Sequence, residues 1–390
     1  MVYERIILII LDGFGIGAQP DAADFGDAGA DTFAHLLKTI PKLDLPNLYG
    51  LGLAKTAGVK SGVSIDVIGA YGKMRQISSG KDTLTGHWEM MGVDLKTPFK
   101  CYPEGFSQEL ISEIEEQIGR KVIGNKVASG TKIIEELGAE HLETGSIILY
   151  TSADSVLQLA AHEEIIPISE LYRICTIVRA IMVVENQIGR VIARPFLGET
   201  GGFYRTVRRR DFTLAPSEVT VLDCLVAAGY QVETIGKVAE IFANRGISKC
   251  IKAANNDEVV NKIIESMATK WRGLVFANLN DFDTIYGHRR DAAGYARALM
   301  RFDVQLSAII DKMSTSDLLI ITADHGNDPT FAGSDHTREY VPLLAYSKEL
   351  RRAINLGERT SFADIGATIA ENFGLTEPRI GTSFLSETIL

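Results

Sequence analysis

Residues 5–17, RIILIILDGFGIG, set an almost unbroken apolar run directly against an acidic, glycine-rich turn. So short and so apolar a run reads as a strand covered on both faces, the condition of an interior strand in a parallel sheet. The turn then opens at the carboxyl end of that strand, where open α/β sheets place their ligand-binding groups. Asp12 is therefore a candidate functional residue. The same pattern recurs in SIILYTS (146–152), RGLVFANLN (272–280) and DLLIITADHG (317–326), with a shorter run in VPLLAYS (341–347). Helical spacing fills the intervals NDEVVNKIIESMA (256–268), YARALMRFDVQLSAIIDKM (295–313) and FADIGATIAENF (362–373). Strands alternating with helices predict an α/β fold whose loops carry the chemistry.

The chain has 390 residues and 46% hydrophobic content, enough for a large core and for either one domain with an insertion or two domains. A net charge of −10 argues against a general nucleic-acid-binding surface, since polyanions are bound through a dominant basic footprint. The first apolar run is cut by Asp12 and two glycines well short of a membrane span, and it lacks the charge and cleavage pattern of a secretion signal. Cys101, Cys175, Cys224 and Cys250 are scattered without CxxC pairing. Neither a zinc ribbon nor a disulfide framework is indicated, and a cytoplasmic protein with reduced thiols, without membrane or obligate protein partner, is expected.

Asp283 and His288 lie in DFDTIYGHR, Asp324 and His325 in TADHGND, and His336 in SDHTRE. With Asp12 they make a set of carboxylates and imidazoles in turns rich in Gly, Asp or Asn. Such donors bind first-row divalent ions, and two ions a few ångströms apart can clamp the attacking and leaving oxygens of a phosphoryl group. One Asp-His pair would mean little, because strand-end aspartates are often turn residues or caps. Three of the chain's seven histidines in this setting point to metal.

The segment SSGKDTLTGHWEMMG (78–92) supplies a hydroxyl. Lys81-Asp82-Thr83 precedes an apolar-periodic stretch, which puts Thr83 near a helix start, where free backbone N–H groups favour phosphate. Metal coordination would activate such a hydroxyl. Read alone, the same residues are an ordinary helix cap, and Thr85 competes with Thr83 for the role. Between Asp12 and the later Asp/His groups, residues from Pro98 to Ala215 are less regular and include the arginine-rich stretch RVIARPFLGETGGFYRTVRRRDF (190–212). Because the candidate ligands flank this segment, it reads as an inserted cap interrupting the core.

The order DGFGIG, GKDTLTGHWE, DFDTIYGHRRD, TADHGNDPT and DHTRE resembles the bacterial phosphopentomutases of the alkaline phosphatase superfamily. The likeness continues through PDAADFGDAGADTF, YTSADSVLQLAAHE, GGFYRTVRRRDF and IGKVAEIF, and departs from the usual pattern at Gly202 and at Asn244-Arg245. It implies a doubly wound alkaline-phosphatase-like α/β core (1–98 and 216–390) with an inserted α/β cap domain (99–215). It implies two Mn2+ ions, a sugar bisphosphate as activator, and movement of phosphate between the C1 and C5 oxygens of ribose or 2-deoxyribose. Carried over by position, Asp12, Asp324 and His325 with Thr83 would hold one ion, and Asp283, His288 and His336 the other. Thr83 would be the phosphorylated residue. Ser152, Asp154, Arg194, Arg205 and Lys237 would contact the sugar phosphate. The rivals are a phosphoglycerate mutase or phosphatase of the same superfamily, and a non-catalytic metal protein.

Overall fold

The apolar runs and helical patterns can be followed in the computed structural model, which describes residues 2–60, 65–152, 155–183, 187–376 and 378–389. The chain divides into two compact units, Met1–Thr97 with Pro216–Leu390, and Pro98–Ala215. In chain order the strands begin with β1 (Arg5–Leu11) and β2 (Ala70–Met74). The second unit contributes β3 (Val122–Val127), β4 (Ile147–Thr151), β5 (Val156–His162), β6 (Arg190–Leu197), β7 (Tyr204–Arg205) and β8 (Arg210–Thr213). The first unit resumes with β9 (Gln231–Ile235), β10 (Lys249–Ile251), β11 (Gly273–Leu279), β12 (Asp317–Thr322), β13 (Val341–Tyr346) and β14 (Ile354–Arg359). All five apolar runs are strands, β1, β4, β11, β12 and β13, and the three helical patterns form Asn256–Met267, Ala292–Lys312 and Ala363–Phe373.

The first unit is built on an eight-stranded sheet in the order β10-β9-β11-β1-β12-β13-β2-β14. β1 pairs in parallel with β11 on one side and β12 on the other, and every residue of the three is buried. Their continuous apolar character follows from cover on both faces. At the amino end of these strands Arg5 is locked to Asp317 by two hydrogen bonds of 3.0 Å. Register does the rest: Ile10 lies opposite both Asn278 and Thr322. The chain leaving β1 at Asp12, β11 toward Asp283 and β12 at Asp324 therefore emerges at one carboxyl edge of the sheet.

The second unit is more regular than its sequence suggests. It holds a six-stranded sheet, β3-β4-β5-β6-β7 with β8 also on β6, and the helices Gln108–Ile118, Gly130–Thr144 and Ile168–Ile181. One sheet face packs Ile147, Leu149, Leu157, Leu159 and Val191 against Leu110, Ile114, Leu171 and Ile174. The other packs Ile148, Tyr150, Ala160 and Phe196 against Ile133 and Ile134. Arg190, Arg194 and Pro195 break the apolar pattern of β6, which is why that strand does not stand out as one.

Candidate metal centre

The carboxyl edge gathers six candidate ligands into one cluster, with Asp12, Asp283, Asp324 and His325 buried and His288 partly exposed. Asp12 follows β1 and Asp324 follows β12, and both are fully buried. Gly13 makes the approach possible: its φ is +74°, a Cβ there would stand 3.0 Å from Asn327 Cβ, and its N–H donates to Asp324 Oδ1 at 3.2 Å. Asp283 enters from the short helical segment Phe282–Gly287, which ends on His288. His336 sits on the loop that returns to β13.

His325 Nε2 lies 3.5 Å from Asp12 Oδ1, 3.3 Å from Asp324 Oδ2 and 3.2 Å from Thr83 Oγ1. His288 and His336 each point Nε2 at Asp283, 3.3 Å from Oδ2 and Oδ1, and their Nε2 atoms are 3.1 Å apart. The two groups are contiguous, since donor atoms of Asp12, Asp283 and His325 also fall within 4.8 Å of one another. Asp12 and Asp283 thus stand at the seam.

These residues fit divalent cations on three counts. Asp12 Oδ1 and Asp324 Oδ2 are buried and accept no hydrogen bond from the described residues, a costly arrangement for carboxylates unless a cation faces them. His288 Nδ1 donates to the Ser334 carbonyl at 2.7 Å and His325 Nδ1 to the Gly326 carbonyl at 3.1 Å, which leaves both Nε2 lone pairs directed inward. The donor set, imidazole nitrogen and carboxylate oxygen, suits first-row ions. Among the described residues the centre holds the two groupings that meet metal-ligand spacing.

Its electrostatics follow from burial and crowding. Burial, then the neighbouring Asp324 carboxylate, pushes Asp12 up to about 7 against the pull of Lys237. Burial drives His325 down to about 4, so its imidazole is neutral at ordinary pH and ready to ligate. Burial works to raise Asp283, yet His336 and His288 hold it well below the usual carboxylate range. Lys237 Nζ stands 2.7 Å from Asp12 Oδ2, and against its partial burial Asp12, Asp283 and Asp324 raise its ammonium above the ordinary value.

Thr83 opens the helix Thr83–Met90, with Asp82 as its cap. Free N–H groups expected there for phosphate are already taken at two positions: Leu84 and Thr85 donate to Asp82 Oδ1 at 3.0 and 3.1 Å. Thr85 is fully buried and its hydroxyl donates to Asp82 Oδ2. Thr83 is half-buried, with its hydroxyl turned to His325. Two residues the sequence did not single out complete the surroundings. Asn327 Nδ2 donates to Asp283 Oδ1 at 2.7 Å, and His87 reaches both the Thr83 carbonyl and Asp324. His87 lies four residues after Thr83 on one helix, a spacing that could have drawn attention to it.

The other expected contacts belong to the second unit. Ser152 follows β4 and is half-buried; Asp154 lies outside the described residues. Arg194, on β6, donates through Nε to Gln158 Oε1 at 2.9 Å, and burial lowers its guanidinium. Arg205 is exposed on β7. Gly202 is exposed, and Asn244 takes the left-handed φ of 62° that a glycine adopts without strain.

Residues 4–377 match the model of the metalloenzyme superfamily. The phosphopentomutase of Caldanaerobacter subterraneus subsp. tengcongensis is 53% identical over 385 residues, 98% of each chain. Among solved structures, the PH0037 protein of Pyrococcus horikoshii has a similar fold, with a TM-score of 0.50 at 16% identity, covering 96% of this chain and 98% of that one. A phosphoglycerate mutase of Leishmania mexicana aligns over 98% of this chain and 97% of its own at a TM-score of 0.46 and 12% identity.

Proposed function

The chain belongs to the phosphopentomutase family of the metalloenzyme superfamily, as a metal-dependent isomerase, and from that premise we propose that it interconverts ribose 1-phosphate or 2-deoxyribose 1-phosphate with the corresponding 5-phosphate. Thr83 is the group that carries phosphate. The observation behind this assignment is the 3.2 Å approach of Thr83 Oγ1 to His325 Nε2, inside the cluster of six candidate ligands, while the Thr85 hydroxyl is committed to Asp82.

In this reading phosphorylated Thr83 gives its phosphoryl group to the free hydroxyl of the sugar monophosphate, and the Thr83 oxygen is released as the P–O bond to it breaks. The product is the 1,5-bisphosphate. Thr83 Oγ1 then attacks the other phosphate, takes it back, and the isomeric monophosphate departs. A trace of bisphosphate primes enzyme that has lost its phosphate. Asp12, Asp324 and His325 with Thr83 hold one manganese ion, and Asp283, His288 and His336 the other. Bound there, the ions supply positive charge for the phosphoryl oxygens and lower the pKa of the Thr83 hydroxyl.

Substrate selection falls to Ser152, Asp154, Arg194, Arg205 and Lys237. Arginine forks match phosphate oxygens, and Arg194 and Arg205 form no ion pair among the described residues. Beside them the hydroxyl of Tyr150, fully buried, has no hydrogen-bond partner among the described residues. The unit Pro98–Ala215 acts as the cap that keeps water from phosphothreonine, which is what separates a mutase from a phosphatase. We place the reaction in the cytoplasm, where thiols such as those of Cys175 and Cys224 stay reduced; among the described residues no helix is long and apolar enough to cross a membrane.

Incubation with ribose 5-phosphate, a trace of the 1,5-bisphosphate and manganese tests the reading. Ribose 1-phosphate is the expected product, with phosphate on Thr83 by mass spectrometry. Release of inorganic phosphate instead would leave a phosphatase.

A further inference from the structure

His87 is buried to zero exposure in the middle of the helix that Thr83 begins, and its ring stacks on Phe276 with centroids 5.6 Å apart. A histidine packed so deeply must place both ring nitrogens on partners. Nδ1 lies 2.9 Å from the Thr83 carbonyl oxygen and 3.2 Å from Asp324 Oδ2. A carbonyl only accepts, so Nδ1 carries the proton and donates it to Thr83, with the Asp324 carboxylate standing beside the same N–H. Nε2 lies 3.2 Å from Asn278 Nδ2, at the end of β11, where the amide donates to the bare ring nitrogen. One tautomer serves both ring nitrogens.

We propose that His87 is the positioning residue that fixes the nucleophile's helix against the carboxylate of Asp324. The inference rests on the assignment of Thr83 as phosphate carrier and Asp324 as metal ligand. It goes beyond that assignment in naming what holds the two in register. Asp324 has one oxygen bound by the Gly13 N–H at 3.2 Å, and among the described residues its Oδ2 lies nearest the imidazoles of His87 and His325, at 3.2 and 3.3 Å. The His87 N–H, 3.2 Å from Oδ2, therefore sets a fixed positive dipole against one side of this carboxylate, in the manner of groups behind a metal's own ligands. That N–H is bonded to the peptide of Thr83, so the ring ties the place of the nucleophile to that of the carboxylate it packs against. The fit is tight: a Cβ on Gly86 would come within 2.0 Å of the Asp324 carbonyl oxygen. Asn278 keeps the ring from turning its bare nitrogen to Asp324.

Three substitutions separate positioning from packing. Asparagine places an amide nitrogen where imidazole carries Nδ1, glutamine places one where it carries Nε2, and phenylalanine keeps the ring with no donor. Manganese titrated calorimetrically into metal-free protein should bind one of its two sites about 10- to 100-fold more weakly in His87→Gln and His87→Phe. Turnover should fall by a similar factor in kcat with KM little changed. His87→Asn should recover most of both, although it leaves a larger void than either. Thermal melting of the metal-free variants checks folding, and should His87→Phe not fold, His87→Gln carries the same comparison. Parent-like manganese binding and kcat in His87→Gln overturn the proposal. So do equal losses in the Asn and Gln variants, which would make His87 a packing residue. Thr83→Ala is run alongside: if it still turns over, the nucleophile assignment itself is wrong, whereas an inactive Thr83→Ala with parent-like His87→Gln removes this inference alone.

Discussion

Lys237 Nζ and Asp12 Oδ2 stand 2.7 Å apart, an ammonium set against a carboxylate that has no exposure at all. The pair lies within the field of Asp283 and Asp324, so the lysine is the counter-charge of an acidic cluster as well as a group available to substrate. Removing one member of such a pair leaves a buried carboxylate alone, and Asp12 can respond only by keeping its proton. Lys237→Met should therefore lower the stability of the metal-free protein by about 3 kcal/mol, the low end for breaking a buried pair because the lysine is only partly buried. Because bound cations replace the lost charge, manganese should raise the melting temperature more in the variant than in the parent. Melting curves in chelator and in manganese measure both, and equal metal-induced gains would show that Lys237 does not serve the cluster.

The two threonines of the nucleophile segment should separate stability from turnover. Thr85 donates its hydroxyl to the capping carboxylate of Asp82, and Thr83 turns its hydroxyl to His325. Thr85→Ala should cost about 1 kcal/mol, the usual worth of a buried hydrogen bond at a cap. Thr83→Ala should cost less than that and abolish phosphoryl transfer. Urea denaturation paired with a mutase assay checks the division, and a reversed pattern would move the phosphate to Thr85.

What the sequence shows and what it hides divide along a physical line. β1, β11 and β12 are covered on both faces, so their burial is written as continuous apolar runs, and the parallel register then brings Asp12 and Asp324 to one edge. The second unit hides its order because Arg190, Arg194 and Pro195 interrupt β6. Thr83 and Thr85 cannot be told apart by spacing, since the choice depends on which hydroxyl Asp82 captures. Contacts such as Lys237 with Asp12, or His87 with Asp324, join residues far apart in the chain and leave no local pattern.

Tyr150 offers a test of the phosphate-binding reading for the second unit. Its hydroxyl is fully buried without a hydrogen-bond partner among the described residues, beside Arg194 and Arg205, at the start of the helix Gly130–Thr144. An unsatisfied buried hydroxyl is a liability, so Tyr150→Phe should leave the protein as stable or more stable by about 1 kcal/mol. If the hydroxyl serves bound sugar phosphate, the same variant should raise KM several-fold, and Arg194→Ala should raise it at least tenfold, as expected for loss of a charged contact. Steady-state kinetics together with melting curves decide it. Unchanged KM in both variants would place the phosphate elsewhere.

Glu339 gives the fold a pH dependence with a definite sign. It is buried and accepts hydrogen bonds from Thr32, Thr337 and the Gly17 N–H, yet burial pushes its carboxyl up to about 7 from an ordinary 4.5. Below 4.5 the folded and unfolded chains both hold this proton; between there and about 7 only the folded chain does. The folded state then binds more protons, so stability falls as pH rises through this window, and the contribution is gone above it. Between pH 5.5 and 8 the parent should lose on the order of 2 kcal/mol more than Glu339→Gln, which cannot titrate there. The comparison of slopes removes any constant offset from the substitution. Urea unfolding at several pH values supplies it, and parallel curves for parent and variant would mean that Glu339 is already ionised at the acid end, held so by its four donors.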